Sequence, residues 1–321
     1  TMVRSGITLT VGQQAVVDTR MSLGNVSESI LVDAAAPLVE TTTGTISSVV
    51  TEQQISAMPL NGRDVTQLVL LQPGVVMSRS SVQGSNVGQG IKISVAGSRP
   101  SQNMFTLDGT AYNDALNNTP ASANGVMTGV ETIKEFRVVT NAMSAEYGRA
   151  GGGVFNVITK SGSNQFTGSA FEFLRDDRLN SKNYFDDEKP DFRRNQFGGS
   201  FGGPVVKSRT FFFSSYEGLR EHKGITQVAT VLDDNARRGI LPGAGPIAIP
   251  ATVQPYISLY PVANGPLIRT ASGAPTGLAE YHSVLDRGSN QDFAMVRLDH
   301  TFTGNSSLFG RYLYDNSIQD E

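Results

Sequence analysis

Two hydrophobic rhythms divide this chain near Lys160. After it, apolar and polar residues trade places at every step. In QDFAMVRLDHTF (291–302), Ala294, Val296, Leu298 and Phe302 fall on one side, interrupted by His300, while Arg297, Asp299 and Thr301 fall on the other. Five segments carry this period: 165–175, 195–203, 210–218, 291–302 and 306–315. Each has about the 9 to 11 residues that a β-strand needs to cross a bilayer. The connections between them alternate long and short, with long loops expected at 176–194 and 219–290. Long loops on one side and short turns on the other are the layout of an outer-membrane barrel.

Before Lys160 the rhythm is mixed. Residues 6–33 alternate, with Ile7, Leu9 and Val11, then Ala15, Val17 and Met21, then a run at 27–34, as the last strands of a small β-sandwich would. Residues 35–50 read as a linker and a short strand. Thr51 and Gln54 have capping-box spacing, so a helix starts there and stops at Pro59. A second helix is expected from a cap at Asn61, with Val65, Leu68 and Val69 on one face and Pro73-Gly74 ending it. Residues 77–90 are a glycine-rich polar loop. Ile91, Ile93 and Val95 then alternate, and a strand from Phe105 to Asp108-Gly109 is expected beside them. A helical turn, a strand through Val138 and the run VFNVITK complete a small α/β region over 45–160.

Composition supports the membrane reading of the second half. Only 17% of the 321 residues are charged, below the soluble norm of about 25%, and glycine is abundant at 34 residues. The net charge of −3 gives no field for nucleic acid. There is no cysteine, and His222, His282 and His300 lie far apart, which argues against thiolate chemistry and a histidine metal centre. No apolar run is long enough for a transmembrane helix, whereas an alternating barrel strand needs none. The N-terminus lacks a signal-peptide pattern and begins in mid-pattern, so a piece of a longer chain is expected.

Several residues have chemistry to weigh. Gly198–Gly202 spells the G-x-S-x-G hydrolase elbow, but a strand follows instead of a helix, so glycines in a strand and its turn are the reading. Asp186–Asp191 (DDEKPD) is either an oxygen-rich calcium loop or a solvated acidic loop. Tyr184, Phe185 and Phe192 flank it, as loop packing or ligand contacts. Phe211, Phe212, Phe213 and Tyr216 suit an aromatic belt against lipid. Arg99 and Asp108 read either as a charged contact to a wall or partner, or as a local strand-end turn. Glu131, Lys134, Glu135 and Arg137 are either ion pairs to a barrel lumen or a solvated helix face.

Four stretches carry a family likeness: MPLNGRDVTQLVLLQPGV, VAGSRPSQNMFTLDGTAYND, the run from VETIKEF through NVITKSGSNQFTGSAFEFLRDDRLNSKNYF, and FGGSFGGPVVKSRTFFFSSYEGLRE. In this order, over roughly residues 45–220, the chain resembles TonB-dependent outer-membrane transporters of the Oar-like branch, which carry a carboxypeptidase-regulatory-like domain before the plug. The resemblance implies the tail of that β-sandwich at 1–35, an α+β plug at 36–160, and the first strands of a transmembrane antiparallel barrel at 161–321. Five strands would not close a wall of about 22. It implies transport of an external ligand, such as an oligosaccharide or a peptide, across the bacterial outer membrane, with no catalysis and no cofactor. A siderophore receptor and a surface-display or adhesion barrel are the alternatives. The partners implied are the TonB energy-coupling complex and outer-membrane lipid. Arg99, Asp108, Glu131 and Arg137 become candidate plug–barrel or partner contacts. Ser29, Ile30, Leu31, Val32 and Asp33 become the candidate TonB box, and Gly151, Gly152 and Gly153 the hinge where plug meets wall.

Overall fold

The computed structural model describes residues 2–5, 9–11, 30–33, 46–58, 60–78, 91–114, 119–122, 129–141, 147–148, 150–182, 186 and 189–320. Two compact units divide the chain. The first comprises Thr1–Glu172, Gln196–Leu219 and Asn290–Ile318; the second comprises Phe173–Asn195, Arg220–Ser289 and Gln319–Glu321.

In the first unit, β1 (Met2–Ser5) and β2 (Ile30–Asp33) form a parallel pair. The strands expected around residues 15–21 lie outside the described residues. A five-stranded mixed sheet follows, built from β3 (Ile46–Val50), β6 (Met104–Leu107), β7 (Thr110–Ala111), β8 (Ile133–Asn141) and β9 (Val154–Thr159), in the order β3-β8-β9-β6-β7. β8 and β9 run antiparallel, and β6 runs parallel to β9. Val138, Phe155, Phe105 and Ile133 bury their side chains, and the Phe105 and Phe155 rings stack at 4.5 Å.

Two helices pack on this core. α1 (Glu52–Ala57) has the expected capping box: Thr51 Oγ1 accepts from the Gln54 N–H, and Gln54 Oε1 accepts from the Thr51 N–H. Its one buried side chain is Ile55. The second expected helix is shorter than its pattern. A 3-10 turn at Asn61–Arg63 comes first, and α2 covers only Thr66–Val69. Its start is set by Asp64, whose Oδ1 accepts from both the backbone N–H and the hydroxyl of Thr66, rather than by Asn61. The left-handed Gly62-Arg63 pair (φ 70° and 54°) breaks the helix that periodicity alone would continue. β4 (Val75–Met77) and β5 (Ile93–Val95) form a separate antiparallel pair. The expectation that 91–95 pairs with the strand from Phe105 is therefore corrected: both runs are short strands, but each finds a different partner.

Five long strands follow: β10 (Thr167–Asp176), β11 (Phe192–Val206), β12 (Thr210–Leu232), β16 (Pro275–Thr303) and β17 (Ser306–Asp320). Their order is β10-β11-β12-β16, with β17 also on β16. The first unit contains their portions up to Glu172, from Gln196 to Leu219 and from Asn290 to Ile318. There the expected alternation is plain: Val296, Leu298 and Phe302 are exposed, while Phe293 and Met295 are buried. Phe213 joins Phe293 and Met295 in a buried cluster, so it is an inward residue and not part of a lipid belt. Phe212 and Phe201 instead form a ring cluster with the exposed Phe166. The G-x-S-x-G run lies inside β11, where a Cβ on Gly199 would come within 2.4 Å of the Ser169 carbonyl oxygen. Close strand packing explains that glycine.

The second unit corrects the loop expected at 219–290. β12 continues to Leu232 and β16 begins at Pro275, leaving 233–274 between them. That segment has its own order. α3 (Asp234–Arg237) is capped by Asp233, and β13 (Ile240–Leu241) pairs with β14 (Gly245–Pro246). α4 (Gln254–Leu259) is tied down by Arg237, which donates to the carbonyls of Tyr260 and Pro261. β15 (Leu267–Arg269) then pairs antiparallel with β16. These strand extensions mix charged and polar residues on successive positions, as in REHKGITQ (220–227), so strict apolar alternation fades there. Arg194 pairs with Glu221, and Lys189 with Asp177 at 3.4 Å. Among the described residues, no acidic or histidine group is arranged to hold a metal ion. Asp187, Glu188, Tyr184 and Phe185 lie outside them.

Candidate functional site

The mixed sheet and the long strands of the first unit meet along a seam of charged and polar side chains. Its first cluster centres on Arg63. The left-handed turn at Gly62-Arg63 aims the guanidinium at the wall of long strands, where it lies 3.9 Å from the centre of the Phe171 ring on β10. Arg63 donates to Glu131 Oε1 at 2.9 Å, and its Nε lies 4.0 Å from Glu217 Oε1 on β12. The second oxygen of Glu131 accepts from Ser169 Oγ of β10 at 2.7 Å and lies 3.8 Å from Lys160 Nζ. Lys160 also pairs with Glu52 at 3.0 Å. Gln196 of β11 donates from Nε2 to Glu217 Oε1 at 2.5 Å and to the Gly62 carbonyl at 3.4 Å. One residue past Glu131, the hydroxyls of Thr132 and Ser215 lie 2.9 Å apart.

Two carboxyls near this cluster are displaced in opposite directions. Burial pushes Glu131 up, but the Ser169 hydroxyl, Lys160 and Arg63 together outweigh it, so the group lies below its ordinary value. Burial dominates at Asp64 and raises it despite the two bonds from Thr66.

The second cluster centres on Asp108, which sits with Gly109 in a left-handed turn (φ 47° and 82°) after β6. Its Oδ1 accepts from the Thr159 N–H at 2.9 Å and its Oδ2 from the Thr159 hydroxyl at 2.8 Å. Two wall arginines reach the same carboxylate. Arg311 of β17 donates to Oδ2, and Arg297 of β16 places NH1 3.5 Å from Oδ1. Arg297 also donates to Thr159 Oγ1 at 2.8 Å, grips Asp299 and lies 4.7 Å from the Phe309 ring centre. Asp108 is buried to 6% side-chain exposure, and both guanidiniums are mostly buried. A third contact joins Ser122 to Gln291, which donates to Asp315. Tyr112 lies near it, its hydroxyl raised to about 12 by burial and then by the Asp315 charge, against the pull of Arg311.

Of the residues singled out from sequence, the structure brings Asp108 and Glu131 to the wall. Arg99 is exposed, and its N–H donates to Gln102 in a strand-end turn; among the described residues it makes no ion pair to the wall. Arg137 is buried against the mixed sheet, donating to Ser47 and the Val11 carbonyl. Glu135 accepts from the Val11 N–H. Gly151, Gly152 and Gly153 pack against 95–103 and not against the wall. The N–H groups of Gly151 and Gly152 donate to the Gln102 carbonyl, and a Cβ on Gly153 would meet Val95 at 2.8 Å. Ile30–Asp33 pairs with Met2–Ser5, while Ser29 lies outside the described residues. Sequence reasoning missed Arg63, Lys160, Ser169, Gln196, Glu217 and Arg311. The usable signal for the wall members was parity: each lies on the inward step of an alternating strand.

Comparisons with known proteins place the fold. The model of the TonB-dependent receptor plug domain matches residues 39–154, and that of an outer membrane beta barrel domain matches 158–321. The chain belongs to the TonB-dependent outer-membrane transporters. It is 30% identical over 163 residues to the TonB-dependent transporter Oar of Myxococcus xanthus, which covers 48% of this chain and 14% of that protein. It is 29% identical over 138 residues to the ferrienterobactin receptor of Escherichia coli, covering 38% of this chain and 17% of the receptor. In fold it is similar to the ferric enterobactin receptor of Pseudomonas aeruginosa, with a TM-score of 0.52 at 16% identity over 87% of this chain and 34% of that one. The chain thus spans a minor part of the length of these relatives. The mixed sheet is the plug, the long strands are outer-membrane barrel wall, and no catalytic constellation is part of the family's plan.

Proposed function

We propose that this chain is the plug and leading wall of a gated importer, driven by the TonB energy-coupling complex. Ligand binds on the outer side of the plug, a pull from the periplasmic side shifts the plug, and a path opens along the wall. The observation that carries this reading is the chemistry of the seam. Plug and wall are joined by ion pairs, hydroxyl contacts and a guanidinium–ring contact, with Leu313 of the wall adding an apolar contact, whereas the plug holds itself together with a buried apolar core. Polar contacts exchange for water at a net of about 0.5–1.5 kcal/mol each, and about 1.5–3 kcal/mol where a charged group is involved, so such a seam separates without unfolding what it joins.

The test is a reversible lock. The chain has no cysteine, and the Thr132 and Ser215 hydroxyls meet across the seam at 2.9 Å, which makes this pair the place to introduce a bridge. The full-length transporter carrying Thr132→Cys and Ser215→Cys is expected to lose uptake when oxidised and regain it on reduction, at unchanged surface level. Uptake untouched by a formed bridge removes the gating reading and favours surface display.

For the ligand we propose a large polar solute, an oligosaccharide or a peptide, as the family resemblance of the sequence implies. A ferric siderophore is the second reading, favoured by the likeness to a ferrienterobactin receptor. An uptake defect of the locked protein that appears only under iron limitation selects the siderophore. Residues 29–33 are proposed as the strand that the coupling complex captures by β-addition. Deleting them in the full-length protein is expected to abolish uptake and spare assembly; retained uptake removes that assignment.

A further inference from the structure

The geometry points to an anion-binding site on the wall itself, made by Arg297 and Arg311 and occupied at rest by the plug's own Asp108. The site has a built form. Arg311 and Arg297 stand on adjacent strands, β17 and β16, and both face inward onto a single carboxylate. Arg297 is held in place independently of that carboxylate, by Asp299 and by the Phe309 ring. Arg311 has a further anchor in the Leu107 carbonyl at 3.4 Å, but its charge is met by Asp108. A guanidinium fork matches a carboxylate or phosphate in both shape and charge. Removing the carboxylate leaves Arg311 as a mostly buried cation, a state that strongly favours capture of another anion.

Asp108 is attached to the plug, through the Thr159 N–H and hydroxyl, and it is not part of the wall. Any displacement of the plug therefore withdraws the carboxylate and bares both arginines toward the space the plug vacated. The chemical class that fits is a small, compact anionic group: a carboxylate, phosphate or sulfate on a solute in transit. The transit role rests on the importer reading above; the anion site itself does not. The wall then exchanges one anion for another, and Arg311 is not left without a counter-charge.

Chemical rescue tests this directly. Asp108→Gly keeps the left-handed turn and empties the site. In the purified full-length transporter, sodium formate is expected to raise the unfolding midpoint of Asp108→Gly above that in sodium chloride at equal ionic strength, and to leave the unsubstituted protein unmoved. Adding Arg311→Gln should erase the response. Asp108→Asn, which fills the site with a neutral amide, should not respond. A formate effect no larger in Asp108→Gly than in the parent overturns the proposal. Should Asp108→Gly fail to fold, the parent protein in a planar bilayer, its plug released by denaturant, gives a second readout. Its anion preference should be lost in Arg297→Gln/Arg311→Gln, and an unchanged reversal potential overturns the proposal equally. Neither readout uses the energised partner, so a failed lock experiment and a failed rescue are separate results.

Discussion

The centre of the plug and its margin are built by opposite rules. At the centre, Phe105, Phe155, Ile133 and Val138 are nearly or wholly sealed from solvent, and two aromatic rings stack. At the margin, Arg63, Glu131, Lys160 and Asp108 face the wall through charge and hydroxyl. Apolar burial is non-directional and cooperative, so losing one part of it loosens the whole. Charged contacts are directional and exchangeable with water, so each can break alone. On the importer reading, the first kind inside and the second kind outside let the plug stay folded while it changes neighbours.

The largest effect should come from breaking the centre. Phe155→Ala is expected to lower plug stability by about 3–5 kcal/mol, through lost transfer energy and the cavity left behind. Hydrogen exchange in the full-length protein should show protection falling across all of 133–159 together. Loss confined to residues beside the ring would mean that the core is not one cooperative unit.

Next is the margin. Arg63→Ala leaves Glu131 and Glu217 without their shared cation and should weaken plug–wall attachment by about 1–3 kcal/mol. Amides of β8 and β9 should keep their protection while contact residues around 61–64 and 131–132 lose theirs. Equal loss in both sets would erase the proposed contrast between centre and margin.

A smaller effect is expected at the α1 start. Thr51→Ala removes the capping box and should cost about 1 kcal/mol, seen as faster exchange confined to 52–57. Acid should act on the margin and spare the centre. The Glu131 carboxyl is lowered in the folded state, so its contribution is present above its unfolded value and fades as pH falls through the lower folded one. Plug release followed against pH should lose that component in Glu131→Gln; an identical acid profile in the variant removes Glu131 as its source. The smallest effect is at Asp64, raised by burial, where ionisation opposes folding as pH rises above the unfolded value. Asp64→Asn keeps an acceptor for Thr66 and should be neutral or stabilising at neutral pH, by thermal midpoint.

The sequence showed some of this and hid the rest, for a physical reason. Period-two strands with one face in lipid announce themselves, which is why Val296, Leu298 and Phe302 were placed correctly. A capping box is a local signal within four residues, and Thr51 with Gln54 was legible for that reason. The seam was not. Arg311 and Asp108 stand 203 positions apart, and Arg297 and Thr159 are 138 apart. No local pattern encodes such pairings, so Asp108 and Glu131 could be named as candidates but their partners could not. Arg137 resembled them in sequence, yet it lies on the sheet face away from the apolar cluster, where it donates to Ser47 and the Val11 carbonyl.

The turn at Asp108-Gly109 has a consequence for mutational tolerance. Position 108 answers two demands at once: a backbone with φ of 47° and an acidic group for the wall. Asparagine and glycine satisfy the first alone, and glutamate satisfies only the second, because a longer side chain is poorly suited to the left-handed region. A saturation scan should therefore find a solitary acceptable letter there, flanked by positions such as Thr110 and Ala111 where many letters survive. At this position a conformational veto and an electrostatic one are joined so tightly that neither can drift without the other.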